Sequence, residues 1–351
     1  MTGARGLVPL PYDESGMAAK LGPNWAETLA SAHRWMILAR TLDARMQGLQ
    51  RQGRVGFYGA ATGQEAVNVA AGLVSAREDW VFPGLREQLV ALVRGHPLVD
   101  YTHHLFADDL DAGRGRNMPC HPTARGVRYV SMSSVIGTQI DHAVGAAYAA
   151  RYRHEPGAVL AFFGDGATSS NDFHAGMNFA GVFRLPVIFC CTNNQWAISV
   201  PVSRQTAVQS LATKAVEYGF PGRWVDGTDF VSAYAELGAA LRQARDGGGP
   251  TMLEFVLYRM TAHSSSDDPT RYQPADWAAR AAAHDPLGRL EGWMATHGLL
   301  DAEREAAVRA SADAEVKAAV ETAEATPPPR PESLTEDVYA ATRSGAPAPE
   351  G

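Results

Sequence analysis

A chain of 351 residues, 46% hydrophobic and 20% charged, has the length to bury a substantial core and the composition of a soluble globular protein, so one large domain with smaller appendages is expected. The formal charge of −7, with basic residues scattered rather than blocked, gives no footprint for nucleic acid or an anionic membrane as partner. Three cysteines, two of them adjacent, do not make a disulfide framework, and no apolar stretch is long enough for a signal peptide or a membrane span, which points to the cytoplasm.

Residues 1–25 are rich in Gly, Pro and small residues and read as an N-terminal arm lying on something else. From Ala26 to about Gln50, Trp35, Leu38, Leu42 and Met46 recur at three or four residues and predict a long helix. Gly53 to Gly63 reads as a loop into a helix over Gln64 to Val74, with Phe57 and Tyr58 forming either a ligand-facing wall or a packed turn. Asp100 to Val130 lacks periodicity, and so long a loop inside a compact domain tends to be functional or mobile. Thr138 to Tyr152 predicts a helix whose small residues allow close packing on a sheet or a symmetry mate.

A strand over Ala158 to Phe163, a helix from Phe173 to Phe183 and a strand from Val187 to Cys191 give a βαβ rhythm. Val225 to Gly227, a helix from Phe230 to about Arg245 and a strand from Met252 to Tyr258 repeat it. The fold class is therefore α/β, an open, mainly parallel sheet covered by helices on both faces. Charged, alanine-rich helix beyond Asp285 ends near Ala325, which bounds the main domain with its helical additions at 26–325. Residues 326–351 read as a Pro-rich linker and tail, where Leu334, Val338 and Tyr339 would dock on a partner subunit or fold back on their own domain.

The chemistry gathers where strands end. Gly164-Asp165-Gly166 follows one apolar run and Asn193-Asn194 follows the next, and since neighbouring strands lie about 4.8 Å apart, the carboxylate and the carboxamide could converge on one ion if these strands are adjacent. Magnesium takes oxygen ligands and shares them with phosphate, and a backbone carbonyl after Asn194 would complete the protein's share. The glycines beside Asp165 permit a close approach to phosphate oxygens at the carboxyl ends of parallel strands. Neither a P-loop nor a nicotinamide fingerprint is present. His263 lies in a polar loop just past the last strand, placed either to move protons or to serve structure. Ser133 to Gln139, on its residues alone, reads as helix capping by Thr138.

The run from Gly164 to Gly181, continuing through Cys191 to Ser199, resembles the thiamine diphosphate motif of the alpha subunit of two-chain 2-oxo acid dehydrogenases, most like the branched-chain type, and the likeness extends from about Arg34 to Tyr339. It implies that Asp165, the Asn194 side chain and the Trp196 carbonyl hold magnesium, with Gly164, Gly166, Ala167 and Ile198 close to the cofactor and Asn193 supporting the turn. It implies further that Arg86 grips the diphosphate, that Tyr58, Ser134 and the backbone near Ile136 contact the cofactor, and that Phe57 walls the substrate side. His263 would meet both phosphate and reacting centre, Ser264 occupies the position of a regulatory phosphoserine, and these two with Phe57 form the expected catalytic set. Ser133, Val135, Thr138 and Gln139 match a potassium site of branched-chain members, whereas Leu85 stands where the family commonly has tyrosine.

By the same resemblance, the cofactor performs the hard step and the carboxylate that activates it comes from a beta subunit, so Glu65 reads as a helix-start residue. The expected assembly is an α2β2 heterotetramer that passes its acyl product to a lipoyl-bearing acyltransferase component. Asp267-Asp268 and the Ser133 to Gln139 stretch favour branched-chain 2-oxo acids, with pyruvate the alternative. A reading of another class, a non-catalytic scaffold that binds a partner through Leu334 to Tyr339, is opposed by the intact set of Asp165, Asn194, Arg86 and His263.

Overall fold

The computed structural model describes residues 7–336. Its helices are α1 (Glu14–Leu21), α2 (Trp25–Arg51), α3 (Glu65–Val74), α4 (Gln88–Val93), α5 (Leu98–Phe106), α6 (Thr138–Tyr152), α7 (Asn171–Val182), α8 (Phe230–Arg245), α9 (Trp277–Ala283), α10 (Pro286–Thr296) and α11 (Ala302–Ala325). Its strands are β1 (Trp80–Phe82), β2 (Val159–Gly164), β3 (Val187–Asn193), β4 (Trp196–Ala197), β5 (Val200–Pro201), β6 (Gly222–Asp226) and β7 (Thr251–Val256).

Five strands form one sheet in the order β1-β2-β3-β7-β6, every pair parallel, while β4 and β5 make a small antiparallel pair. Side chains alternate between the faces of a strand, so continuous apolar runs feed two cores at once. Leu160, Phe162, Ile188, Cys190 and Phe255 enter a core shared with α2, α3 and α8. Val159, Phe163, Phe189, Cys191 and Met252 enter the other, beneath α6 and α7. The adjacent cysteines thus point to opposite faces, and all three cysteines are buried and free.

The expected parallel sheet with helices on both faces is what folds, and most element boundaries fall within a few residues of those read from the sequence. The region without periodicity is shorter than expected, because α5 runs past Asp100 to Phe106. Its apolar stripe is masked by buried polar residues that find partners inside the fold, His103 on Asp108 and His104 on Asp111. Thr138 does not cap α6. The cap position belongs to Gly137 at φ 95°, where a Cβ would come within 2.7 Å of both the Ser170 hydroxyl and the Asp172 carboxylate.

In the N-terminal region, α1 is capped by Asp13 and packs against α8, and the Tyr12 hydroxyl donates to Asp229 at 2.6 Å. At the other end, the Ser333 carbonyl accepts from Arg116 while Leu334 stays exposed; Val338 and Tyr339 lie outside the described residues. Among the described residues no helix is long and apolar enough to cross a membrane.

Candidate active site

At the carboxyl ends of β2 and β3 a cleft of about 540 Å³ opens. Its wall is assembled from stretches far apart in sequence: Phe57 and Gln64, Gly84 to Glu87, His121, Ser133 to Ile136 with Gln139, Gly164 to Ala167, Asn194 with Trp196 to Ile198, and His263. The fold therefore brings together Phe57, Arg86, Ser133, Ser134, Val135, Ile136, Gln139, Gly164, Asp165, Gly166, Ala167, Asn194, Trp196, Ile198 and His263. Tyr58, Thr138 and Ser264 are not in its lining.

Gly164 of β2 pairs with Thr192 of β3, so Asp165 and Asn194 leave two neighbouring strands at nearly the same level. Asp165 is almost fully buried and accepts a 2.7 Å hydrogen bond from Gln205. Burial pushes its carboxyl up to about 6, against the hydrogen bond from Gln205 and the more distant Arg259. The Asn194 carboxamide oxygen accepts from the Trp196 amide at 3.1 Å, which starts a turn in which Gln195 and Ile198 both take positive φ, 72° and 56°. For a β-branched residue such as Ile198 that backbone is an outlier of the kind found at ligand sites. The two turns touch: a Cβ on Gly166 would lie 2.7 Å from that of Ala197. Asn193 faces away from the cleft, donating to Glu254 at 2.8 Å and accepting from the Gln195 amide at 3.0 Å, which braces the turn.

The other side of the cleft is positive. Arg86 is buried and its guanidinium donates to the carbonyls of Ala60 and His263. Its Nη2 lies 3.4 Å from Nδ1 of His263. Burial, then Arg86 and then Arg259, holds the His263 imidazole down to about 4. The ring is therefore neutral near pH 7, and with Nδ1 facing a guanidinium its proton belongs on Nε2. The loop is tied by Asp267, whose carboxylate accepts from the His263 amide at 2.7 Å and from the Tyr272 hydroxyl. Arg259 is also buried and donates to the carbonyls of Trp196 at 3.4 Å and Ile198 at 2.9 Å. It therefore shares the very carbonyl expected to face a metal.

Both readings of the aromatic pair are realised, one by each residue. Phe57 lines the cleft, whereas Tyr58 is buried with its hydroxyl donating to Asp43 at 2.8 Å. Ser264 sits beside His263 but spends its oxygens within the loop, accepting from the Ser266 and Asp267 amides. Sequence reasoning passed over Gln64, Glu87, His121 and Gln205. Gln64 is 1% exposed and neither atom of its carboxamide has a hydrogen-bond partner. Glu87 is a buried carboxylate pushed by burial up to about 7, held by the Arg86 amide at 3.1 Å. Glu65 lies at the start of α3, as expected, and pairs with Arg40 rather than facing the cleft.

With this geometry established, the relatives of the chain can be placed. The family model described as the dehydrogenase E1 component matches residues 33–332. The chain is 43% identical over 286 residues to the 3-methyl-2-oxobutanoate dehydrogenase subunit alpha of Mycobacterium tuberculosis, covering 82% of this chain and 76% of that one. It is 40% identical over 310 residues to the 2-oxoisovalerate dehydrogenase subunit alpha of Bacillus subtilis, covering 88% and 94%. The mitochondrial 2-oxoisovalerate dehydrogenase subunit alpha of Homo sapiens shares 36% over 314 residues, 89% and 71% of the two chains. The match spans the sheet and every stretch of the cleft wall, in agreement with the resemblance carried by the Gly164 to Ser199 motif: this chain belongs to the dehydrogenase E1 component family.

Proposed function

We propose that the chain is the alpha subunit of a branched-chain 2-oxo acid dehydrogenase, which with a beta subunit decarboxylates a 2-oxo acid and passes the acyl group to a lipoyl carrier. The observation that carries this reading is the convergence of Asp165, Asn194, Arg86 and His263 on one cleft at the carboxyl edge of the sheet. That edge is where ligands of parallel α/β sheets bind. The three relatives named above carry branched-chain substrates in their names, which favours that class over pyruvate.

The residues fit thiamine diphosphate and magnesium. Asp165 is buried beside a neutral amide, and a divalent cation would draw it into its charged form. Asn194 and the Trp196 carbonyl would complete the protein's oxygens, with the rest supplied by phosphate and water. Among the described residues no group of three or more His, Cys, Asp or Glu side chains could hold a metal, so an ion here would depend on its phosphate ligand. Potassium near Ser133, Val135 and Gln139 is supported by Gln139 Oε1, buried and without a partner, although Thr138 lies outside the cleft wall.

When bound, the cofactor supplies a nucleophilic carbon and an electron sink for decarboxylation. Arg86 offers fixed positive charge to its anionic tail, Arg259 adds to that field from behind the Trp196 to Ile198 turn, and His263 offers an Nε2–H donor at the same end of the cleft. Phe57 with Val135, Ile136 and Ile198 forms an apolar wall, yet these last three are 66%, 64% and 55% exposed. The mouth thus awaits a cover, and beyond it α6 and α7 expose a cluster of Tyr148, Phe179 and Phe183 whose rings meet at 4.5–5.7 Å. A beta subunit seated there would close the site and bring the activating carboxylate. We assign Ser264 no chemical step and place the assembly in the cytoplasm.

Co-expression with the beta chain, followed by decarboxylation assays on 3-methyl-2-oxobutanoate and pyruvate with and without thiamine diphosphate and magnesium, tests the proposal. Cofactor-dependent turnover preferring the branched substrate is expected. Failure on both substrates at saturating cofactor would sink it.

A further inference from the structure

The cleft holds a second imidazole. His121 is buried, lines the wall, and places Nδ1 3.0 Å from the Pro119 carbonyl and Nε2 in a hydrogen bond with the Ser134 hydroxyl. A carbonyl only accepts, so Nδ1 carries the proton of the neutral ring and Nε2 is left as an acceptor. The hydroxyl proton of Ser134 must then point toward His121.

The ring is held from behind. The His121 amide donates to His104 Nε2 at 3.0 Å, His104 Nδ1 donates to Asp111 at 3.1 Å, and Asp111 also accepts from the Gly115 amide at 2.9 Å. Cys120, directly before it, is fixed at φ 65°, with its buried Sγ accepting from the Gly59 amide at 3.5 Å. A non-glycine residue persists in that region only where its surroundings determine it.

We infer that His121 is a positioning residue of the cofactor site: by engaging the Ser134 proton it leaves only lone pairs of Oγ facing the cleft. The ligand group that meets Ser134 is then a hydrogen-bond donor, an N–H of the cofactor's ring end, and not a phosphate oxygen. This rests on the thiamine diphosphate reading above.

The alpha chain assembled with its beta subunit in magnesium buffer is titrated calorimetrically with thiamine diphosphate and with inorganic pyrophosphate, which shares the anionic tail and has no N–H. His121→Ala and Ser134→Ala should each weaken thiamine diphosphate about tenfold, the worth of one hydrogen bond, and leave pyrophosphate unchanged. The double variant should lose no more than either single one, because the two side chains act as one unit. His121→Gln, whose side-chain oxygen replaces Nε2 as acceptor, should restore most of the affinity, with thermal melting reporting that each complex is folded. Equal weakening of both ligands, unchanged binding of thiamine diphosphate, or a folded His121→Gln complex as impaired as His121→Ala would overturn the inference. Wild-type complex that binds pyrophosphate but not thiamine diphosphate would remove the cofactor reading and this inference with it, a result distinct from loss of the His121 effect alone.

Discussion

Gln64 and Glu65 are neighbours at the start of α3, both almost wholly out of solvent, and their side chains meet opposite fates. Glu65 is bound to Arg40 and to the Gly63 amide, and Arg40 continues to Asp285 at the cap of α10, so three helices are tied by one ionic group. Asp79 does similar work beneath the sheet, accepting from the Ala76 and Ala158 amides and from Arg245. Gln64, by contrast, has no partner for either carboxamide atom, Gln139 has none for its oxygen, and Asp165 has only a neutral one among side chains. Buried polar groups are nearly always satisfied in folded proteins, so a group left open on a cleft wall marks where a ligand completes the bonding. Around Glu65 and Asp79 the polar groups are paired as scaffold, whereas on the cleft wall Gln64 and Gln139 are left open toward the site.

Asp165→Asn attacks the unpaired side and should have the largest effect. Turnover dependent on thiamine diphosphate and magnesium is expected to fall more than a hundredfold, about 3 kcal/mol in the barrier, in steady-state assays of the assembled enzyme. Stability should move the other way. The folded carboxyl near 6 lies above its ordinary value of 3.8, so its stabilising contribution is full below that value and lost as pH rises through 6. At pH 7.5 the variant should melt no lower than wild type. Unimpaired turnover would remove Asp165 from the site.

Glu65→Ala attacks the paired side. Removing Glu65 leaves Arg40 with Asp285 alone and the Gly63 amide without its acceptor, at a cost of about 2–4 kcal/mol in urea unfolding. Cofactor affinity of the folded fraction should be retained. If stability were untouched while binding collapsed, the contrast between the two residues would be drawn the wrong way round.

How much of this was legible in the sequence depends on whether the signal is local. Strands β2 and β3 are built on apolar runs, β7 is interrupted only by Glu254 within its apolar stretch, and α2 announces itself by periodicity, so sheet and layers could be read directly. The Asp165 and Asn194 turns follow those strands and came with them. Helix α5 is not read from the sequence at all, because His103 and His104 look like surface residues until their partners fold over them. Gln64, His121 and Gln205 left no mark in sequence, since His121 and Gln205 become part of the site through contacts 13 and 40 residues away, and Gln64 through an absence of contact altogether. Tyr58 shows the converse: it stands next to a wall residue, but its side chain turns into the core and its hydroxyl meets Asp43.

Gln64→Leu sharpens the comparison at smaller scale. The substitution keeps the bulk and deletes both unpaired polar atoms, so the ligand-free complex should be as stable as wild type or more so. Cofactor or substrate binding should weaken about tenfold, one hydrogen bond's worth, by calorimetry and by KM. A loss of stability without any change in binding would mean that Gln64 belongs with Glu65 after all.

The subtlest test reads the field of the unpaired region through His263. In the ligand-free chain burial and the two guanidinium groups hold its imidazole near 4, so below the ordinary histidine value of 6.5 the unfolded chain takes up a proton that the folded one refuses. The contribution of His263 to stability is therefore full above that value and is lost as pH falls from 6.5 toward 4. A diphosphate bound in the cleft against Arg86 would offset the positive field of Arg86 and Arg259 and attract the imidazolium, so the titration monitored by NMR of the imidazole C–H should move upward on adding magnesium pyrophosphate. The acid-side loss of stability assigned to His263 should shrink in step, and His263→Asn should abolish both responses. A titration that stays near 4 with the ligand bound would mean that the anion does not sit at this end of the cleft, and that Arg86 serves the loop rather than the cofactor.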